Sequence, residues 1–341
     1  KVSMLDVGQT KLIILAKERE LSLIDHRGKT VTVSMPVKTI ISLYDVITKG
    51  IRALQKDDKL VAIEDDVKSR PQLWGEISEL PSVGRGSSPD HEVIFELNPD
   101  LVVGSSIEAM NELEAGGITA VCLRYYTPQN QTEDFRKLAY LLDARDKAEE
   151  FIAWRESWLN EIKEKVEEIS EDEKPRVYYE AWADYKTATK ACVRGQMIEL
   201  AGGINIAHDL SDILNPSVDP EWVIEQNPNV IIRNMPHPPL GNGYEIDDPK
   251  DLIELRKAIM NRPGFEHIDA VKTGRVYIMS YDISIRNYFL GVPFMAKTFH
   301  PKLFADMDPN AMHQEWLDNW QRIDFNVYEH GTFYYPPPSS E

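Results

Sequence analysis

The 341-residue chain is 42% hydrophobic and 28% charged, with a formal net charge of −18. Its length predicts two domains with real cores, and the acidic balance excludes a phosphate-backbone binder, so no nucleic-acid partner is expected. No apolar run approaches the roughly 18 residues that would span a membrane, and two cysteines, Cys122 and Cys192, are too few for a disulfide framework or a zinc motif.

In chain order, Leu12–Ala16 is an apolar run too short for a signal-peptide core, and the opening at Lys1 rather than Met hints at a removed leader or anchor. Residues 21–33 alternate about Arg27-Gly28 and predict a hairpin. Lys38–Leu43 reads as a buried strand followed by a helix from Tyr44 to Leu54. Further strands are expected at 60–63, 101–103 and 119–123, separated by helical stretches, which indicates βα units and a mostly parallel sheet. From Asp143 to Ile169 the apolar positions Ala148, Phe151, Ile152, Leu159, Ile162, Val166 and Ile169 keep to one helical face, widened by Trp154 and Trp158. This segment reads as a single long connecting helix, stopped by Pro175.

A second α/β region restarts with the strand 176–180, then a helix through Met197 that stops at Gly202-Gly203. A polar loop follows at 235–249, then a helix near 250–260, a strand at 274–279 and a helix around 311–320. The closing Tyr334-Tyr-Pro-Pro-Pro338 is read as an extended wrap or a frayed end.

One unit recurs. Glu92-Val-Ile-Phe-Glu-Leu-Asn-Pro-Asp-Leu-Val-Val103 is echoed by Glu221-Trp-Val-Ile-Glu-Gln-Asn-Pro-Asn-Val-Ile-Ile232. Each copy predicts a short helix with an early Glu, an Asn-Pro stop and a buried strand. The fold class expected is therefore α/β: two doubly wound, mostly parallel-sheet lobes joined by one long α-helix, with a ligand cleft between them. The divisions are 1–35 (extension and hairpin), 36–142 (first lobe), 143–172 (linker helix) and 173–341 (second lobe with its tail).

Ligands of such sheets sit beyond the carboxyl ends of the strands. That rule selects Tyr44, Ser105 and Tyr126 in the first lobe and Trp182, Asn234 and Tyr281 in the second, with Asp65, Asp66 and Arg233 also following strands. Arg85 and Arg194 lie in the Gly-containing turns Val83-Gly-Arg-Gly86 and Val193-Arg-Gly195, in similar places of the two lobes. Arg and aromatic side chains together suit a sizeable planar or anionic ligand. Gly84–Ser88 lacks the ending of a P-loop. The eight His never recur at i, i+4, and no Gly-x-Ser-x-Gly elbow occurs, so nothing supplies a nucleophile, base and orienter and no enzyme activity is expected. Glu92 and Glu221 each open a helix after a proline, where a carboxylate suits the helix dipole. Their recurrence at one repeat position also suits a docking pair for a two-fold partner.

These features resemble the substrate-binding proteins of ABC importers for iron–siderophore complexes, haem and cobalamin, the single-helix-linker class. The resemblance runs from about Asp25 to the C-terminus. It rests on Asp25–Val33, Thr39–Tyr44, Pro81–Gly84, the Asn98–Val103 repeat, Leu200–Asn205, Ala270–Tyr277 and Lys297–Asp308. It implies an extracytoplasmic, periplasmic or lipid-anchored protein, expected as a monomer, that holds a metal chelate and passes it to an ABC permease dimer. A ferric siderophore-type complex is the leading cargo, with no intrinsic cofactor and no metal held by the protein alone. Glu92 and Glu221 match the family's permease-contacting glutamates. Arg85, Arg194 and Arg286 would neutralise the chelate, and Tyr44, Tyr126, Trp182 and Tyr281 would supply contact area. Haem, a corrinoid or a molybdate-like oxyanion are alternative ligands; a redox or metal-cluster enzyme on the same scaffold is the alternative outside binding proteins. The chain departs from the family at Thr48-Lys49, where Thr-Glu is common. It departs again at 281–288, which lacks Gly-Pro-Arg, and residues 1–20 have no counterpart.

Overall fold

The computed structural model describes residues 2–7, 10–17, 20–124, 127–235 and 243–338, with residues 2–17 described by backbone alone. The chain divides into two compact units, Lys1–Ala153 with Asn319–Ile323, and Trp154–Asp318 with Asp324–Glu341. The first boundary falls inside the helix Arg145–Glu167, whose 23 residues span about 34 Å at 1.5 Å per residue.

The first unit begins with an antiparallel meander, Val2–Val7, Thr10–Lys17, Glu20–Ile24 and Thr30–Ser34, paired in that order. The hairpin read from residues 21–33 is its second half, and its turn uses Gly28 at φ 75°, a left-handed conformation that glycine adopts without strain. Asp25 fixes this turn to the rest of the unit. Its carboxylate accepts the Arg27 N–H, the Arg27 Nε–H at 2.7 Å and the Cys122 backbone N–H at 3.0 Å. The Arg27 fork also reaches Glu114 and the Ala120 carbonyl.

A parallel sheet follows, with strands ordered Ala120–Cys122, Leu101–Gly104, Ile40–Ser42 and Leu60–Ile63. Every residue of the first three strands is buried, as a sheet covered on both faces requires. Ile41, Leu43, Val83, Val102, Met110 and Leu113 share one core.

The second unit holds a five-stranded sheet ordered Ile204–Asn205, Arg176–Glu180, Val230–Asn234, Val276–Met279 and Tyr334–Tyr335. The first four strands run parallel and the last is antiparallel. The tail is thus neither a wrap nor a frayed end: Met279 pairs with Tyr334 and Ile278 with Tyr335, closing the sheet edge. Tyr334 is buried, stacked on Phe294 at 5.4 Å, and its hydroxyl meets the Thr298 hydroxyl at 2.9 Å. The helix expected around 311–320 starts as Pro309–Glu315 and continues as a π-helical turn, Trp316–Gln321.

The repeat is structural as well as textual. The helices His91–Leu97 and Pro220–Gln226 both end on a left-handed asparagine, Asn98 at φ 41°, ψ 60° and Asn227 at φ 40°, ψ 64°. Two residues later each copy clamps a neighbouring strand: the Asp100 carboxylate accepts the Lys38 and Thr39 N–H groups, and Asn229 Oδ1 accepts the Arg176 N–H.

Candidate functional site

Each unit gathers polar residues at the carboxyl ends of its parallel strands. In the first, Tyr44 follows Ile40–Ser42, Glu64, Asp65 and Asp66 follow Leu60–Ile63, and Ser105 and Ser106 follow Leu101–Gly104. With Ser69, Arg85, Gly86 and Ser87 they line an open pocket of about 570 Å³. Tyr44 and Ser105 are half-buried and Arg85 is exposed. Arg85 sits on the short ladder of Gly84–Arg85 with Ser88–Pro89. Gly86 brings that ladder against the first strand's end, since a Cβ there would overlap the Leu43 carbonyl.

The acids of this pocket are already engaged by the protein. Glu64 Oε1 accepts the Asp45 N–H at 2.5 Å, and Asp65 Oδ1 accepts the Ser82 hydroxyl at 2.6 Å. Lys49, the departure from the family pattern, is buried and pairs with Asp45 at 3.0 Å, so this position carries an internal ion pair rather than an exposed charge.

In the second unit Arg194 is 2% exposed. It lies in the first turn of the helix Val193–Leu200, not in the glycine turn expected from the sequence. Gly195 serves close packing, because a Cβ there would overlap the Thr189 carbonyl. Arg194 Nε donates to Asn234 Oδ1 at 3.0 Å, and Nη1 reaches Asn215 Oδ1 at 3.5 Å and Cys192 Sγ at 3.8 Å. The guanidinium lies 5.1 Å from the Trp182 ring and 6.0 Å from the Tyr281 ring. Arg286, also buried, lies 5.2 Å from Tyr281. Arg194 has no carboxylate partner among the described residues, and its Nη2 is buried without a hydrogen bond.

Asn234 is wholly buried and its amide is spent on protein groups, donating to the Met279 carbonyl and the Ser284 hydroxyl, each at 3.0 Å. It holds Arg194 from behind. Trp182 is 42% exposed and stands over both Arg194 and Lys186. Its loop is anchored by Arg233, whose Nη1 donates to the Ala181 and Ala183 carbonyls. Arg233 is in turn held with Arg262 by the buried Glu180, which takes both Arg262 nitrogens at 2.7 and 2.9 Å. Sequence reasoning missed Asn215 and Lys186, because neither follows a strand; Asn215-Pro216 carried only a turn signal. Tyr126 lies outside the described residues.

Glu92 and Glu221 occupy the same turn of their helices, both exposed, and neither has an ion-pair partner among the described residues. No described helix is long and apolar enough to cross a membrane. Among the described residues no group of three or more His, Cys, Asp or Glu side chains is placed to hold a metal.

Relatives share this frame. A Bacillus subtilis protein described as an uncharacterised ABC transporter substrate-binding lipoprotein, YvrC, is 25% identical over 83% of this chain and 86% of its own. The Fe(3+)-citrate-binding protein YfmC of the same organism is 24% identical over 74% of this chain and 76% of its own. Two solved structures share the fold. The TroA-like periplasmic binding protein FepB of Veillonella parvula has a TM-score of 0.77 at 20% identity, covering 92% of this chain and 98% of that one. Molybdate-bound MolA of Haemophilus influenzae has a TM-score of 0.73 at 19% identity, covering 89% and 98%. The periplasmic binding protein family matches residues 40–282, and with two α/β units built on parallel sheets this chain belongs to it.

Proposed function

We propose that this chain is an extracytoplasmic substrate-binding protein that captures an anionic metal chelate, a ferric siderophore-type complex, and delivers it to an ABC permease. One observation carries the reading: the guanidinium of Arg194 is buried at the carboxyl ends of the strands with no carboxylate to balance it among the described residues. Burying an unpaired charge is costly, and an arriving anion repays that cost. Arg286 and Tyr281 beside it, and Tyr44, Arg85 and Ser105 in the first unit, are proposed as further ligand contacts, with Trp182 as a stacking face and Asn234 as the residue that positions Arg194. The metal is cargo and arrives already chelated.

Glu92 and Glu221 are proposed as the permease contacts. Exposed carboxylates without internal partners are free to meet basic groups on a partner. A small oxyanion is the second reading, favoured by Arg85 beside the hydroxyls of Ser87, Ser105 and Ser106. Glu64, Asp65 and Asp66 on the same pocket oppose it, because they repel a bare anion more than a bulky chelate that spreads its charge.

The test is titration of the full chain with ferric siderophores, ferric citrate, haem, a corrinoid and molybdate, read by tryptophan fluorescence and melting temperature. A ligand at a hundred times its Kd stabilises the folded state by about 2.7 kcal/mol. A ferric chelate is expected to quench fluorescence and raise Tm. A shift with molybdate alone moves the assignment to the oxyanion, and no shift with any of the five refutes the reading.

A further inference from the structure

The two cysteines are both free thiols, and they sit in opposite settings. Cys122 ends the strand Ala120–Cys122, has no exposed surface and belongs to the apolar core of Ile41, Leu43 and Val102. Burial, helped by the nearby Asp25 carboxylate, pushes its thiol up to about 11, so it stays protonated and inert.

Cys192 has polar neighbours instead. It stands immediately before the helix Val193–Leu200, where unpaired backbone N–H groups and the helix dipole favour negative charge. Its Sγ lies 3.8 Å from Arg194 Nη1 and 3.7 Å from Asn215 Nδ2, and the residue keeps 6% of its surface exposed. Asn215 is held in place by donating to the Thr187 carbonyl at 2.8 Å. A cysteine kept only to fill space is a small hydrophobe among hydrophobes; this one touches a cation and an amide.

Arg194 supplies a second observation, independent of the thiol. It is 2% exposed, and among the described residues its Nη2 has no hydrogen-bond partner, although it belongs to the guanidinium that Sγ already touches. A buried donor left unpaired is costly, and a buried charge left unbalanced more so. An anionic oxygen formed on Sγ would answer both needs without moving the backbone.

We infer that Cys192 is an oxidation site: peroxide converts its thiol to the sulfenic and then the sulfinic acid, Arg194 and Asn215 hold the oxygens so formed, and the Arg194 site is thereby closed to other anions. The thiol gives its proton to solvent, and an Sγ lone pair attacks one peroxide oxygen. The S–O bond forms as the O–O bond breaks, and the second oxygen leaves as hydroxide, which takes up a proton to become water. Sulfur is oxidised by two electrons and the peroxide reduced by two. A second peroxide repeats the exchange and yields a sulfinic acid, which ionises and pairs with Arg194. The closing of the site rests on the chelate reading given above; the oxidation does not.

The experiment adds hydrogen peroxide to the reduced full chain and follows each cysteine by dimedone trapping and peptide mass. Cys192 should react at least about tenfold faster than Cys122, and Arg194→Met should slow the Cys192 reaction about tenfold. Without any ligand, the oxidised wild type should melt about 4 °C above the reduced chain, because a buried ion pair replaces a lone buried charge. Arg194→Met, oxidised by longer exposure, should melt lower, because its new anion is buried unmatched. Cys192→Ser treated alike subtracts the effect of methionine oxidation. Any of the five probes named above that binds the reduced chain should bind the oxidised chain about thirtyfold or more weakly. Equal reaction of the two cysteines, an undiminished rate in Arg194→Met, the same melting shift in both chains, or an affinity that oxidation leaves unmoved overturns the inference. If none of the five binds the reduced chain, the chelate reading falls, and labelling and melting still decide the oxidation.

Discussion

Replacing Arg194 by Met separates a ligand-binding charge from a structural one. The substitution removes the Nε bond to Asn234, the weaker Nη1 contact to Asn215 and the stacking under Trp182. A hydrogen bond to a charged group contributes about 1.5–3 kcal/mol. Against that, burying a guanidinium without a counter-ion carries a penalty of several kcal/mol, which a methionine of similar reach does not incur. The two effects offset, so the ligand-free variant should melt within about 4 °C of the wild type, the shift that roughly 1 kcal/mol produces in a unit of this size. Ligand affinity is different, because a desolvated charge contact to an anion, once truncated, costs about 2–5 kcal/mol, or about 30- to 5,000-fold in Kd. Arg194→Lys keeps the charge but loses the fork and should fall between wild type and Met. The assay is calorimetric titration with the tightest ferric chelate found, alongside apo melting curves. A variant that melts more than about 10 °C lower, yet binds with unchanged affinity, would show that the guanidinium braces the fold and would refute the argument.

Other outcomes follow from single contacts. Glu92→Arg combined with Glu221→Arg should abolish permease-dependent uptake and leave chelate Kd unchanged; a loss of affinity would place these acids in the site or the fold. Asp25→Asn keeps the shape but breaks the buried pair with Arg27, and should lower the denaturation free energy by about 3–5 kcal/mol, read from the urea midpoint; an unmoved midpoint contradicts that account of the hairpin. Burial holds the His300 imidazole below its ordinary range, against the opposing pull of its bond to the Gly202 carbonyl. The folded state thus takes its proton later than the unfolded chain as pH falls, so stability is lost from about pH 6.5 downward until the folded group also titrates. His300→Gln should flatten that acid limb in melting temperature against pH, and an unaltered slope would assign the acid sensitivity elsewhere.

Much of the frame could be read from the chain because its strands are short apolar runs bounded by Pro, Gly or Asn, and because one unit is written twice. The features that escaped are those decided by non-local pairing. Tyr334-Tyr335 is followed by three prolines and carries the local signature of a break; only its partner Val276–Met279 makes it a strand. Glycine signals a turn at Arg194, yet Gly195 is helical and is small so that the helix can lie against Thr189. Asn215 and Lys186 belong to irregular segments with no period to betray them, and they matter because Arg194 and Trp182 come to meet them.

The two copies of the repeat also show where function diverges from frame. Both keep the helix, the left-handed asparagine and the side-chain clamp on the next strand, which are the parts needed to aim a strand end. What stands at the aimed ends differs. The first unit places an exposed arginine among three carboxylates, Glu64, Asp65 and Asp66, two of which accept hydrogen bonds from neutral protein groups, so this pocket is acidic before any ligand arrives. The second places a buried arginine under aromatic rings with no carboxylate partner among the described residues, while the neighbouring pair Arg233 and Arg262 is balanced by Glu180 and Asp184. A unit that balances Arg233 and Arg262 with carboxylates, and gives Arg194 none among the described residues, has the means to quench that charge and does not use it. Arg194 is accordingly the position at which substitution should separate binding from folding most cleanly.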